Sequence, residues 1–398
     1  MPHFSKRTQN LKASKTMHIA KLCRKKIEQG HDVVAMNIGD SDIVTPLGIQ
    51  AAAIEAIHAG HNKYTDTRGI HGLRDAIKDR INQEHNMSLS ADNVLATPGV
   101  KQGIFYAIMS TIEPGDEVII PAPYWPSFVD IVEYAGGIPV ILPSRIENSF
   151  DVPADELEQA ITEKTRMVIL TSPNNPTGRA ISRKLLSAYG AVLSKYPNIW
   201  IMLDYIYQYI YWGDEPLAYF GEVCPHLHNQ TIILGGFSKA YAISGWRLGY
   251  VCSQNHELMS HMQKLQEQTV CHPNSIAQHA ALEALNHDTD IHHDAKTSFK
   301  ARHDFLLGAL SNLPGIEVKP TDGAMYLFPK VTSLIRNLGL RDDEALAEYL
   351  LEHAHISVTP GSYFGQEGYL RFSFAIRQEK LDQGIKNLAA LPVFEHSK

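Results

Sequence analysis

The chain is poor in cysteine, and the four it has, Cys23, Cys224, Cys252 and Cys271, never fall in a C-x-x-C pair. That spacing excludes a disulfide framework or a zinc ribbon and fits reduced thiols in a cytoplasmic protein. No apolar run reaches the roughly 20 residues that a membrane helix needs, so no membrane contact is expected. The basic excess of nucleic-acid binders is missing too: the formal charge is −7 and no basic stripe stands out, which excludes that class of partner. The 20 histidines include no H-E-x-x-H or similar ligand spacing, so they read as solvated side chains and no metal is expected. A G-x-G-x-x-G turn after a first strand, the mark of a nicotinamide-binding fold, is also absent. The basic N-terminal stretch has no apolar signal core or cleavage site. Its lack of acids would suit a transit peptide, but an amphipathic helix with Ile19, Leu22 and Ile27 on one face is the simpler expectation.

Hydrophobic residues make up 44% of the 398 and charged residues 20%, the balance of a globular protein with more than one domain. Short apolar runs read as strands at 93–97, 117–121, 138–142, 166–171, 199–203, 231–235 and 248–252. Helical spacing lies between most of them, at 101–112 and 182–196, and before them at 69–84. Thr45-Pro46 reads as an N-cap followed by proline in the first helical position, opening a helix through His58. Strands apolar on both faces and joined by helices make a mostly parallel sheet covered on each side. After a long helical region to about 312 come short strands near 316–319, 324–329, 356–359 and 368–374, with helices near 342–354 and 378–390. The expected architecture is α/β: a large domain over 46–285 and a smaller α+β domain over 286–398. The N-terminal segment 1–45 is expected to pack with the small domain.

Ligands of open α/β sheets bind beyond the carboxyl ends of the strands. The strand 166–171 runs into Ser172-Pro173-Asn174-Asn175-Pro176-Thr177-Gly178, and the strand 199–203 ends at Asp204 with Tyr207 three residues on. The strand 231–235 leads through Gly236-Phe237-Ser238 to Lys239, with Arg247 eight residues further. Singly, these residues read as a structural ion pair and ordinary turn chemistry.

In this order they resemble the fold-type I, class I/II aminotransferase family, from about residue 30 to the C-terminus and nearest to its bacterial aspartate aminotransferases. The resemblance extends to Val34–Gly39, similar to the family's loop over the substrate, and to Tyr64-Thr65-Asp66-Thr67-Arg68-Gly69 with Leu73-Arg74. It extends also to Pro98-Gly99-Val100-Lys101-Gln102 and Pro123-Tyr124-Trp125.

The resemblance implies an enzyme that holds pyridoxal 5′-phosphate as a Schiff base on Lys239 and moves amino groups between amino acids and 2-oxo acids by a ping-pong mechanism. Lys239, Asp204 and Tyr207 would be catalytic: the lysine amine shuttles a proton, the aspartate pairs with the pyridine nitrogen, and the tyrosine and Asn175 bond the ring oxygen. Gly99, Val100 and Lys101 at a helix start, with Ser238, Arg247 and a neighbouring subunit's Tyr64, would hold the phosphate. Trp125 would cover the ring, although a buried tryptophan in a strand-to-helix turn is more often plain core. Arg371 would grip the substrate α-carboxylate bidentately, with Gly39, Lys101, Trp125 and Asn175 around the substrate. The partners implied are small-molecule substrates and a second copy of the chain, in a homodimer with shared active sites.

Lys101 bears on substrate choice. Its ammonium would suit the distal carboxylate of aspartate or glutamate, or it contacts phosphate or faces solvent. Tyr124, Tyr326 and Tyr363 would suit an aromatic substrate instead. Two positions depart from the family pattern: Gly236, where a serine is common, and Tyr205, where an acid is common. Rival readings are a carbon–sulfur β-lyase on the same scaffold and a non-catalytic cofactor-sensing domain of a regulator. About 30 residues ahead of the first motif are too few for the DNA-binding domain that the latter carries.

Overall fold

Strand by strand, the apolar runs become the sheet that their two-sided hydrophobicity demands. The computed structural model describes residues 3–9, 11 and 15–395. Its strands in chain order are β1 (Val34–Ala35), β2 (Val94–Thr97), β3 (Glu117–Pro121), β4 (Ile138–Leu142), β5 (Thr165–Thr171), β6 (Trp200–Asp204), β7 (Thr231–Gly236) and β8 (Gly249–Cys252), then β9 (Tyr326–Leu327), β10 (Ile356–Ser357), β11 (Thr359–Pro360) and β12 (Leu370–Ser373). A seven-stranded sheet runs in the order β2-β8-β7-β6-β5-β3-β4. Its neighbours are parallel except β8, which is antiparallel to both β2 and β7.

Alternation along each strand explains why one sheet supports two cores. Val168, Ile201, Leu203 and Ile233 face one apolar cluster, which runs on into the C-terminal part. Met167, Ile169, Met202, Ile232 and Leu234 face the other, formed with the helices Val100–Thr111 and His256–Thr269. At about 25 cal/mol per Å² of apolar surface, this two-sided burial is the main favourable term in the fold.

Away from the large sheet, pairing is brief. β1 pairs in parallel with β10, Val34 opposite Ile356. β12 lies between β11 and β9, antiparallel to each. The strand expected at 316–319 is reduced to one bridge, Glu317 to Lys330, and the one expected at 324–329 to two residues. Such short pieces are held by tertiary contacts rather than by intrinsic preference.

Two local expectations fail for physical reasons. Thr45 does not cap the helix Leu47–His58: Pro46 is the N-cap residue without a side-chain bond, and Thr45 Oγ1 donates instead to the Ala242 carbonyl at 2.7 Å. In the helix Lys15–Glu28, Ile19 is buried but Ile27 is 50% exposed, and Cys23 takes the inward place a turn after Ile19.

Tyr205 is explained by what it packs on. It turns into the core beyond β6, where its ring meets His85 and Tyr219 edge-on at 5.1 and 5.3 Å. Its hydroxyl accepts the Phe220 backbone N–H at 2.9 Å, which an acidic side chain could do only by burying a charge. Replacing Tyr205 with Phe should leave that N–H buried and unpaired, lowering stability by about 1–3 kcal/mol. Urea unfolding of the two proteins measures this, and equal midpoints would show that the bond contributes nothing.

Candidate active site

The carboxyl ends of β5, β6 and β7 deliver their polar residues to one cavity of about 370 Å³. Strand register makes this inevitable: Asp204 lies opposite Thr171 of β5 and Leu234 of β7, and the loops that follow emerge side by side. Gly39, Val100, Lys101, Trp125, Asn175, Asp204, Tyr207, Ser238, Lys239, Arg247 and Arg371 all line it. Gly99, which is not among the lining residues, lies against Arg247, which is. Tyr64 does not join them; it is 88% exposed, with its ring edge-on to His272 at 5.7 Å.

The two central groups are an amine and a carboxylate. Lys239 Nζ donates to the Gly39 carbonyl at 2.6 Å and sits 5.9 Å from the centre of the Tyr207 ring. Asp204 is buried, and its Oδ1 accepts the Ile206 N–H at 3.0 Å. Burial raises its pKa to about 6, against the opposing pull of that N–H and of Lys239. A carboxylate so placed stabilises a cation brought beside it.

One end of the cavity is built for an anion. The helix Val100–Thr111 starts after Gly99, which has φ +82° and no side-chain cap, so no side chain competes for the first N–H groups or the positive end of the helix dipole. A Cβ on Gly99 would lie 2.6 Å from Arg247 Nη2; only glycine lets the guanidinium rest against the helix start. Arg247 itself holds φ +58° and donates Nη1 to the Ser244 carbonyl at 2.8 Å. Lys101 Nζ lies 4.7 Å from the centre of the Trp125 ring. Burial and then Arg247 lower its pKa, the response of an ammonium beside a second cation.

Gly236 has a packing cause. A Cβ there would come within 2.8 Å of Val100 Cγ2 and 3.0 Å of Gly249 Cα, so a serine needs a smaller residue at position 100 or a shift of backbone. Ser238 lines the cavity in any case.

The opposite end is a buried guanidinium. Arg371 donates Nη1 to Asn175 Oδ1 at 3.0 Å and Nη2 to the Asn37 carbonyl at 2.8 Å, with Thr359 Oγ1 at 3.4 Å. Its faces lie against the rings of Tyr326 and Phe364 at 4.4 and 4.9 Å. Arg371 Nε and Asn37 Oδ1 are both buried without a partner, unspent capacity that suits a polar ligand.

Of the three tyrosines expected near the substrate, only Tyr326 lines this cavity. Tyr124 faces a separate small cavity with Pro121, Asn174 and Tyr189, and Tyr363 directs its hydroxyl to Glu344 at 3.4 Å. Sequence reasoning missed Asn37, Ser244 and Phe364. Asn37 acts through its carbonyl, which no side-chain pattern reveals, and Phe364, next to Tyr363 on a short turn, contributes only a ring face.

A model of the aminotransferase class I and II family matches residues 31–388. The chain belongs to that family. An aspartate/prephenate aminotransferase of Nitrosomonas europaea is 41% identical over 395 residues, 98% of this chain and 99% of that one. An aspartate aminotransferase of Rhizobium meliloti is 35% identical over 367 residues, 91% of this chain and 89% of that one. Among solved structures, a Rhizobium meliloti aspartate aminotransferase superposes with a TM-score of 0.94 at 33% identity, covering 98% of both chains. The Thermus thermophilus aspartate aminotransferase with maleate superposes with a TM-score of 0.91 at 32% identity, covering 98% of this chain and 99% of that one. The α/β fold is thus that of the aspartate aminotransferases.

In this aminotransferase Asp204 carries a measurable penalty. Its folded pKa of about 6 stands above the ordinary 3.8, so its contribution to stability is full below about 4 and lost as pH rises through 6. Asp204→Asn, neutral throughout, should make the ligand-free protein more stable than wild type above pH 6, by about 3 kcal/mol at most. The gap should close near pH 4. Urea melts at the two pH values test it; a gap independent of pH would exclude ionisation of Asp204 as the cause.

Proposed function

We propose that the chain is an aspartate-type aminotransferase that holds pyridoxal 5′-phosphate in this cavity, with Lys239 as the attachment point. The observation that carries the reading is the joint placement of the Lys239 amine and the Asp204 carboxylate between an anion cradle at Gly99 and Arg247 and a carboxylate-ready guanidinium at Arg371. The residues fit the cofactor on structural grounds: glycine at 99 leaves room for the guanidinium, and the buried Asp204 carboxylate suits a protonated ring nitrogen. When bound, the cofactor supplies an aldehyde for amine exchange and a ring that accepts the electrons left on Cα.

The protein's own groups do the rest. Arg247, Ser238 and the N–H groups at the start of the helix hold the phosphate. Asp204 would pair with the ring nitrogen and favour its protonated form, and Asn175 and Tyr207 would hydrogen-bond the ring oxygen. Trp125 covers the ring. Arg371, fixed in plane by its aromatic neighbours, orients the substrate by its α-carboxylate. Lys239 Nζ would act as the general base that takes the proton from the substrate Cα and as the general acid that gives it back. The two half-reactions share one set of groups, which gives ping-pong kinetics.

Aspartate and prephenate, the substrates in the relatives' names, both carry a second carboxylate. Lys101, held near the Trp125 ring, is placed to meet it as a point charge, with glutamate and 2-oxoglutarate as the matching pair. A homodimer is part of the same reading. Leu47, Ile54 and Ile57 on one helix are 80%, 55% and 56% exposed, an apolar face that a second copy would cover. Tyr64 lies outside its own chain's cavity, where it is free to reach the phosphate of the partner.

The first test is a visible spectrum after incubation with pyridoxal phosphate, then addition of L-aspartate. A band near ~360–430 nm is expected for a lysine-bound cofactor, lost on addition of the amino donor; no band would refute the cofactor assignment. Lys239→Ala should reconstitute no such band and lose transamination by about 10⁴-fold or more; near-normal turnover would remove Lys239 from the chemistry. Lys101→Ser should raise KM for aspartate and glutamate about tenfold more than for aromatic amino acids. A uniform change across substrates would count against distal-carboxylate binding.

A further inference from the structure

We infer that Tyr326 is a positioning residue that sets how strongly Tyr207 donates its hydrogen bond to the cofactor's ring oxygen. The inference rests on the reading above, in which Tyr207 meets that oxygen. Its basis is the pair of hydroxyls, 2.7 Å apart, from rings that cross at 80° with centroids 5.7 Å apart. Both residues are buried, Tyr326 1% and Tyr207 4% exposed, and both line the cavity.

Proton counting gives the direction. Burial and the neighbouring phenol push Tyr207 well above the ordinary tyrosine pKa, so Tyr207 keeps its proton and shares one hydrogen bond with the Tyr326 hydroxyl. A phenol has one proton to donate. If Tyr207 spends its proton on an anionic oxygen in the cavity, the bond between the tyrosines has Tyr326 as donor. The chain then runs from Tyr326 to Tyr207 to the ring oxygen, and each link strengthens the next.

Tyr326 is held there by contacts that leave it no other position. On β9 it stands opposite Ser373 of β12, and Arg371 lies 4.4 Å over its ring. A Cβ at Gly39 would collide with the Tyr326 hydroxyl, so Gly39 serves here as the space for that oxygen. One residue thus touches the group that meets the ring oxygen and the group that meets the substrate carboxylate. A plain core tyrosine would need no partner hydroxyl in the cavity.

The consequence is spectroscopic. A stronger donor on the ring oxygen stabilises the negative charge that grows there when the linked Lys239 nitrogen loses its proton, so the chain of two tyrosines lowers that nitrogen's pKa. The test is an absorbance titration of the holoenzyme for wild type, Tyr326→Phe, Tyr207→Phe and the double variant. Tyr326→Phe should raise the titration midpoint by about half a pH unit, and Tyr207→Phe by more. The double variant should titrate like Tyr207→Phe alone, because the effect passes through Tyr207. An unchanged midpoint in Tyr326→Phe, or an equal shift in the Tyr207→Phe background, would overturn the inference.

If Tyr326→Phe does not fold, 3-fluorotyrosine at position 326 keeps the shape and sharpens the donor; the midpoint should then fall, and no fall would equally overturn it. A wild type without a visible band refutes the cofactor reading instead, so the two failures are distinct.

Discussion

The guanidinium of Arg371 is the contact on which the site's geometry depends. It bonds Asn37 near the N-terminus, Asn175 beyond β5 and Thr359 on β11, and it lies between the rings of Tyr326 and Phe364. A buried cation is tolerated only where acceptors surround it, because removing its hydration costs several kcal/mol. Satisfying Arg371 therefore fixes the segment just after β1, the turn after β5 and the short strands of the C-terminal part relative to one another. Strands of two residues could not hold such a register unaided.

Charge along the cavity follows the same economy. Cations stand at both ends, Arg247 with Lys101 at one and Arg371 at the other, while Asp204 lies buried between them with Lys239 near. That arrangement matches a ligand pair with an anion at each extremity and a positive centre. Each protein charge needs the opposite charge of the ligand to offset its own desolvation, which makes selection for such ligands a property of the cavity walls. The helix start at Val100 and the glycine before it contribute without any charged side chain.

Much of this could be read from the residues, and the boundary is physical. The strands of the large sheet were legible because burial on both faces leaves continuous apolar runs, and Asp204, Asn175 and Lys239 because polar residues at strand ends break those runs. β9 to β12 were only approximate, since two-residue strands are set by their partners rather than by propensity. Tyr124 and Tyr363 looked equivalent to Tyr326 in sequence, yet only the fold could say that their hydroxyls face elsewhere. Asn37 contributes a backbone carbonyl and Phe364 a ring face, neither of which leaves a chemical signature along the chain. Ile27 illustrates the converse: helical spacing put it inward, but the last turn of its helix runs past the core. Gly236 and Tyr205 departed from the family pattern and became intelligible once Val100, Gly249 and the Phe220 N–H were seen around them.

The burial of Asp204 reaches beyond chemistry to the life of the protein in a cell. A carboxylate held away from water is offset only in part by Lys239 and the Ile206 N–H, so a ligand that brings a further positive charge beside it also stabilises the folded chain. Newly made chains that have not yet been loaded would open more often than finished enzyme, and proteases act on opened chains.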